Sequence, residues 1–184
     1  MISRENAYKL LKEHIQNANM IKHSIASEAV LRAIAQKLNK DQEEWGLAGL
    51  LHDIDIEIIH TDPYKHGPHA AEMLTGLLSP EAIDAIVMHN EMATGKERTS
   101  VFQHALAAGE TITGLIMATA MVYPDRKLAS VKTKSITKRM KEKAFAASVK
   151  RENILECELF GIPINDFAEM ALIAMQKISP ELGM

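Results

Sequence analysis

Apolar residues recur at helical spacing along nearly the whole chain. Residues 3–16 set Ala7, Leu10, Leu11 and Ile15 on one side, which predicts a first helix. Further helices are predicted near 24–38 and 41–52. Asp41 can cap the latter, because its side-chain oxygen accepts from free amides of the first turn. Residues 54–64 break the pattern, and Thr61-Asp62-Pro63 reads as a turn. A helix follows from about 67 to 77. Ser79-Pro80-Glu81 opens another, with Ser79 as cap and Pro80 at the first helical position. Residues 91–99 read as a polar loop containing Gly95, and a long helix should cover 100–122 before stopping at Tyr123-Pro124-Asp125. The segments 132–148 and 149–159 read as helical. Gly161 and Pro163 then separate a last helix ending near Ile178. No strand-like alternation, linker or repeat intervenes. The expected fold is all-α: a single-domain helical bundle spanning residues 1–184.

Composition agrees. Aromatics make up 4% of the chain while Met occurs 11 times, so Leu, Ile, Ala and Met build the interior. A chain of 184 residues can bury one sizeable core. Its longest weakly polar run, Thr111 to Tyr123, is too short to span a bilayer, and the first residues lack a secretion-signal pattern. The single Cys157 cannot form an internal disulfide. A soluble, cytoplasmic protein without a membrane partner is expected. The Met-rich helices could serve as core or as a dimer seam, so an oligomer stays open. The net charge of −3 argues against bulk nucleic-acid binding. Residues 126–151 nevertheless carry ten Lys or Arg and one acid, Glu142. That run is either a solvated helix face or a basic rim attracting an anionic substrate.

A few polar residues sit where apolar ones are expected. Phe102, Leu106, Glu110, Thr113, Met117 and Ala120 are three or four apart, which puts Glu110 on the inward stripe of the long helix. A bare carboxylate in a core is costly. A metal ion or a buried Lys or Arg must compensate, and spacing does not choose between them. His23 opens a helix whose inward face includes Ser27, Val30, Ile34 and Leu38, and His89 shares a face with Ala82 and Ile86. One such histidine is ordinarily a hydrogen-bonded core residue; several together form a candidate ligand set. His52-Asp53 closes the apolar run Leu47-Ala48-Gly49-Leu50-Leu51. Neighbours on a regular helix diverge by about 100°. Both reach one ion only if the helix ends there, and the irregular Ile54-Asp55-Ile56-Glu57 argues that it does. His14, His60 and His104 have no matching partner pattern.

The run Gly49-Leu50-Leu51-His52-Asp53-Ile54 resembles the signature of the HD-domain metal-dependent phosphohydrolases. Lys22-His23-Ser24 looks like that family's first His, and the segment from His66 to Leu74 is similar to its His segment after the HD pair. His89-Asn90-Glu91 and Gly109-Glu110-Thr111 occupy the places of its next His and its distal acid. The likeness covers roughly residues 20–120 and continues more loosely through the basic C-terminal helices, 126–178, as in small bacterial and archaeal HDIG-type proteins. It implies that His23, His52, Asp53 and Glu110 are metal ligands. Asp53 could then bridge to a second ion held by His66 and His89; in a one-metal version those two would contact phosphate or protons. Asp53, His66 and His89 are thus the implied catalytic residues. His69, three residues after His66, ranks lower.

Three departures stand out. The last ligand is Glu110 where the family has Asp. Ile54-Asp55-Ile56 replaces the common Ile-Gly-Lys, and His89-Asn90 stands where some relatives have two consecutive His, which favours one metal. Imidazoles with carboxylates suit Mn, Fe, Co, Ni or Zn, as one or two ions, better than Mg alone. Arg126, Lys127, Lys134 and Lys138 are candidates for binding substrate phosphate, with plain solvation the alternative for each. Asp55 and Glu57 could orient ligands or cap turns. The expected activity is hydrolysis of a phosphate ester of a small metabolite, such as a nucleotide, by metal-activated water. A non-catalytic module binding a nucleotide or a partner protein is the alternative, and a metal-dependent oxygenase or lyase ranks below both.

Overall fold

Two long helices, α2 (Ala18–Lys37) and α7 (Val101–Met121), form the centre of the protein. The structure, a computed structural model, describes residues 1–60 and 62–184. Around the central pair lie α1 (Arg4–His14), α3 (Gln42–Leu51), α4 (Pro68–Leu74) and α5 (Pro80–His89). The one-turn α6 (Glu91–Thr94) leads back to α7. The second half adds α8 (Thr133–Met140), α9 (Arg151–Leu155), α10 (Ile164–Lys177) and α11 (Ser179–Leu182), with 3-10 turns at Leu128–Ser130 and Glu156–Phe160. No strand occurs among the described residues, so the all-α expectation is met. Among the described residues no helix is long and apolar enough to cross a membrane.

α2 packs most extensively on α3 and then on α7. Two glycines allow this. A Cβ at Gly49 of α3 would stand 2.8 Å from the Ser27 carbonyl oxygen of α2, and one at Gly109 of α7 would stand 2.5 Å from Leu31 Cδ2. Trp45 of α3 stacks on Phe102 of α7, with ring centroids 4.4 Å apart. The apolar core runs continuously from Ala7 to Leu182.

Cap chemistry set several helix starts as expected. Asp41 accepts from the amides of Glu43 and Glu44, and Ser79 from that of Ala82 with Pro80 inside the first turn. α2 begins earlier than its apolar pattern predicts, so His23 lies within the helix and does not open it. Only Ala18 and Asn19 of the extra turn are exposed, while Met20 and Ile21 pack partly against the core; Asn17 caps it by accepting from Asn19 N. The 91–99 loop contains one helical turn, closed by Gly95 in the left-handed region. The expected helix over 132–148 stops at Met140, and 141–150 runs through turns. The Thr61-Asp62-Pro63 turn falls partly on Thr61, outside the described residues.

Gly49→Val tests the α2–α3 contact. A helix gains up to ~1 kcal/mol when Gly is replaced, but valine keeps little of that gain. Its side chain would meet backbone that cannot rotate away. A net loss of about 1–3 kcal/mol is expected from urea unfolding midpoints. A midpoint at or above that of the native protein contradicts the tight approach.

Candidate metal centre

The centre starts where α3 stops. After Leu51 the chain makes consecutive turns, with the amides of Ile54, Ile56 and Ile58 bonding to carbonyls three residues back. His52 and Asp53 therefore leave the helix and turn to one side, His52 Nε2 lying 3.3 Å from Asp53 Oδ1. His52 is oriented by its other nitrogen. Nδ1 donates to the Gly49 carbonyl at 2.8 Å.

The same device recurs. His89, at the last position of α5, donates from Nδ1 to the Ile86 carbonyl. His23, in the second turn of α2, holds Nδ1 at 3.0 Å from Thr113 Oγ1. That hydroxyl gives its proton to the Glu110 carbonyl, so it accepts from His23. His66 donates from Nδ1 to Asp55 Oδ1 at 2.8 Å. All four imidazoles thus carry their structural proton on Nδ1 and turn Nε2 inward. The Nε2 atoms of His52, His66 and His89 lie 3.3, 3.2 and 3.6 Å from Asp53 Oδ1, and that of His23 lies 3.5 Å from Oδ2. Two trios result, His23–His52–Asp53 and Asp53–His66–His89, each with donor atoms within 4.8 Å of one another. They share Asp53.

Glu110 joins from α7, its Oε2 lying 3.7 Å from His23 Nε2. Thr111 donates to its other oxygen. The longer side chain thus still reaches the cluster. Among the described residues no Lys or Arg pairs with it, unlike buried Glu28, which is held by Arg4 at 3.1 Å and Arg32 at 3.0 Å.

Metal ligation needs neutral imidazoles and ionised carboxylates. Burial lowers His23 to about 4 and also lowers His89. Burial would raise Asp53, but the surrounding imidazoles overrule it and hold that carboxyl well below the usual range. Glu110 is pushed up to about 7, chiefly by burial. His66 goes the other way. Burial lowers it, but hydrogen bonds to Asp53 and Asp55 prevail and raise it to about 10. Facing nitrogen pairs, His23–His52 Nε2 at 3.2 Å and His66–His89 Nε2 at 3.0 Å, can be satisfied only by a shared proton or a cation. The donor set therefore fits a divalent transition metal.

Asp55 is fully buried and does two jobs. It aligns His66, and its second oxygen accepts from the amides of Gly67 at 2.9 Å and Ala70 at 3.0 Å, capping α4. Both readings open for Asp55 in the sequence thus apply. Glu57 only caps: it accepts from Gln16 N and Asn17 N, at 3.0 Å and 2.8 Å, ahead of α2. His69 is partly exposed beside Glu72, and His104 pairs with Glu156, so neither joins the cluster.

A cavity of about 320 Å³ opens over the centre. His23, Asp53, His66, His89 and Glu110 line one side. Asn90, Thr111, Gly114 and residues Ser148, Val149, Lys150 and Asn153 complete it. Arg126, Lys127 and Lys134, expected to bind substrate, do not line it. Arg126 and Lys127 are exposed beyond α7, and Lys134 lines a separate groove with Lys138 and Lys141. The basic run gave no sign that Lys150 is the one that reaches the cavity.

The sequence model of the HD domain family matches residues 20–151, well over half of the chain. No curated protein and no solved structure is significantly similar to it.

Asp55→Asn keeps the shape but weakens the carboxylate that aligns His66. It should lower Mn or Zn affinity by about 10–100-fold, as removal of an outer carboxylate partner usually does. Titration against a competing chelator reads this, and unchanged affinity would show that Asp55 serves only α4.

Proposed function

We propose that this chain, which belongs to the HD domain family, is a metal-dependent phosphohydrolase that cleaves a phosphate ester of a small metabolite. HD domains are metal-binding and generally hydrolytic, and the His/Asp cluster is compatible with that chemistry. One observation carries the reading: four imidazoles with anchored Nδ1 atoms present Nε2 to a single carboxylate beside an open cavity. A structural zinc knot would be closed on all sides, whereas this centre lines a cavity.

His23, His52, Asp53 and Glu110 would hold the principal ion, and His66 and His89 a second one across Asp53. When bound, such an ion supplies a Lewis acid for the phosphoryl group and acidifies a water. The protein's own residues do the rest. Asp53 and Glu110 would supply the negative charge that holds a cation at the edge of the cavity. With one ion only, His66, aligned by Asp55, would instead hold or pass a proton at Nε2. The continuous apolar core supports reading residues 1–184 as one domain. A nucleotide is one candidate substrate; the alternative is a module that binds such a ligand without turnover.

The test is phosphate release from a panel of phosphomonoesters and nucleotides with Mn, Co or Ni. Turnover of at least one compound is expected. Asp53→Ala should lower kcat/KM by at least about 100-fold, the low end for one positioned catalytic group. Metal-loaded protein that turns over nothing, yet gains thermal stability from a panel member, would establish the binding module instead.

A further inference from the structure

The wall facing the imidazoles is built from the turns that follow α8. They wrap Arg151, which is 8% exposed. Its guanidinium donates to the carbonyls of Ala146 and Val149, both at 2.7 Å, and of Phe145. Arg139 lies over the Phe145 ring at 4.2 Å. This wrapped segment delivers Ser148, Val149 and Lys150 to the cavity, and α9 adds Asn153.

Lys150 is the sole Lys or Arg among the described residues lining the cavity. Its Nζ is held at 2.6 Å by Glu91 Oε1. Glu91 itself faces a neighbouring groove, so the lysine stands between it and the cavity. The other Glu91 oxygen binds Arg98 at 3.1 Å, and the same guanidinium binds Asn153 Oδ1 at 3.1 Å. Asn153 Nδ2 makes only a long contact, 3.5 Å, to Thr111 Oγ1. Arg98 also binds the carbonyls of Met88 and His89 at 3.0 and 3.2 Å. One buried guanidinium thereby ties the end of α5, with its imidazole, to the wall opposite. On the centre's side of the cavity stand two carboxylates, Asp53 and Glu110. An anionic substrate entering between these sides needs positive charge away from the ligands.

We propose that Lys150 and Asn153 form the subsite for the non-bridging oxygens of a small phosphomonoester, with Glu91 and Arg98 holding both residues in place. The inference rests on the phosphohydrolase reading for its substrate class. Lys150 supplies charge and Asn153 Nδ2 a directed donor, while the cavity, near the lower limit of ~300–1,000 Å³ for small-molecule sites, admits one small ester.

The experiment measures two things on Mn-loaded protein: calorimetric binding of inorganic phosphate, and kcat and KM for p-nitrophenyl phosphate. Lys150→Ala should weaken phosphate binding and raise KM by about tenfold each, as for loss of one hydrogen bond to a charged group. Mn content should not change, and kcat should stay within about twofold. Lys150→Arg should recover most of the loss, and Lys143→Ala, on the same basic segment outside the cavity, should match the native protein. Phosphate affinity and KM within about twofold of native in folded, Mn-loaded Lys150→Ala would overturn the subsite. So would native protein that binds Mn but no phosphate. A native protein that binds phosphate through Lys150 but hydrolyses no ester would sink the hydrolase reading and leave the anion subsite standing.

Discussion

The Nδ1 proton of each clustered imidazole goes to an acceptor that secondary structure holds in place, and the centre follows from that. Two acceptors are carbonyls one turn back in the histidine's own helix, Gly49 for His52 and Ile86 for His89. One is a threonine hydroxyl on a neighbouring helix, and one is the buried Asp55. A freely rotating imidazole presents either nitrogen; these four present only Nε2. Helix endings and ligand directions are therefore one structural fact. α3 has to end at Leu51 for His52 and Asp53 to face the same way.

The protein also handles its buried acids in two distinct manners. Glu28 is neutralised by two arginines and serves packing between α1, α2 and the start of α3. Glu110 and Asp53 face imidazoles instead. Among the described residues no Lys or Arg pairs with either. A buried carboxylate without a fixed cation is expensive. Where it persists beside a cavity, the cost points to binding rather than to folding.

Much of this clustering was legible in the sequence because the clustered residues coincide with strong local signals. Glu110 sat on an apolar stripe, and His52-Asp53 closed an apolar run at a break in periodicity, so the convergence needed only that break to be a helix end. The family likeness drew the same residues together. Three matters were not legible. The start of α2 is set by Asn17 and by Glu57 from 40 residues away, and the contribution of Glu57 is one that no local pattern carries. The basic run looked like one helix because its charges and small residues suit one. What breaks it is Arg151, whose need for carbonyl partners gathers 141–150 into turns. Lys150 consequently reaches the cavity while Arg126, Lys127 and Lys134, equally basic, do not. Asp55 was visible only as a pair of options, because its two oxygens serve two purposes that sequence treats as rivals.

The glycine at 49 has a wider effect than packing. It brings α3 against α2 at Ser27, one turn from His23, and its own carbonyl steers His52. The gap between these two imidazoles thus depends on interhelix spacing as well as on either side chain. First-row ions differ in radius, and a rigid frame of this kind works as a caliper. Discrimination among metals would then be written into the hydrophobic interior, where a single methyl group could change which ion the protein prefers.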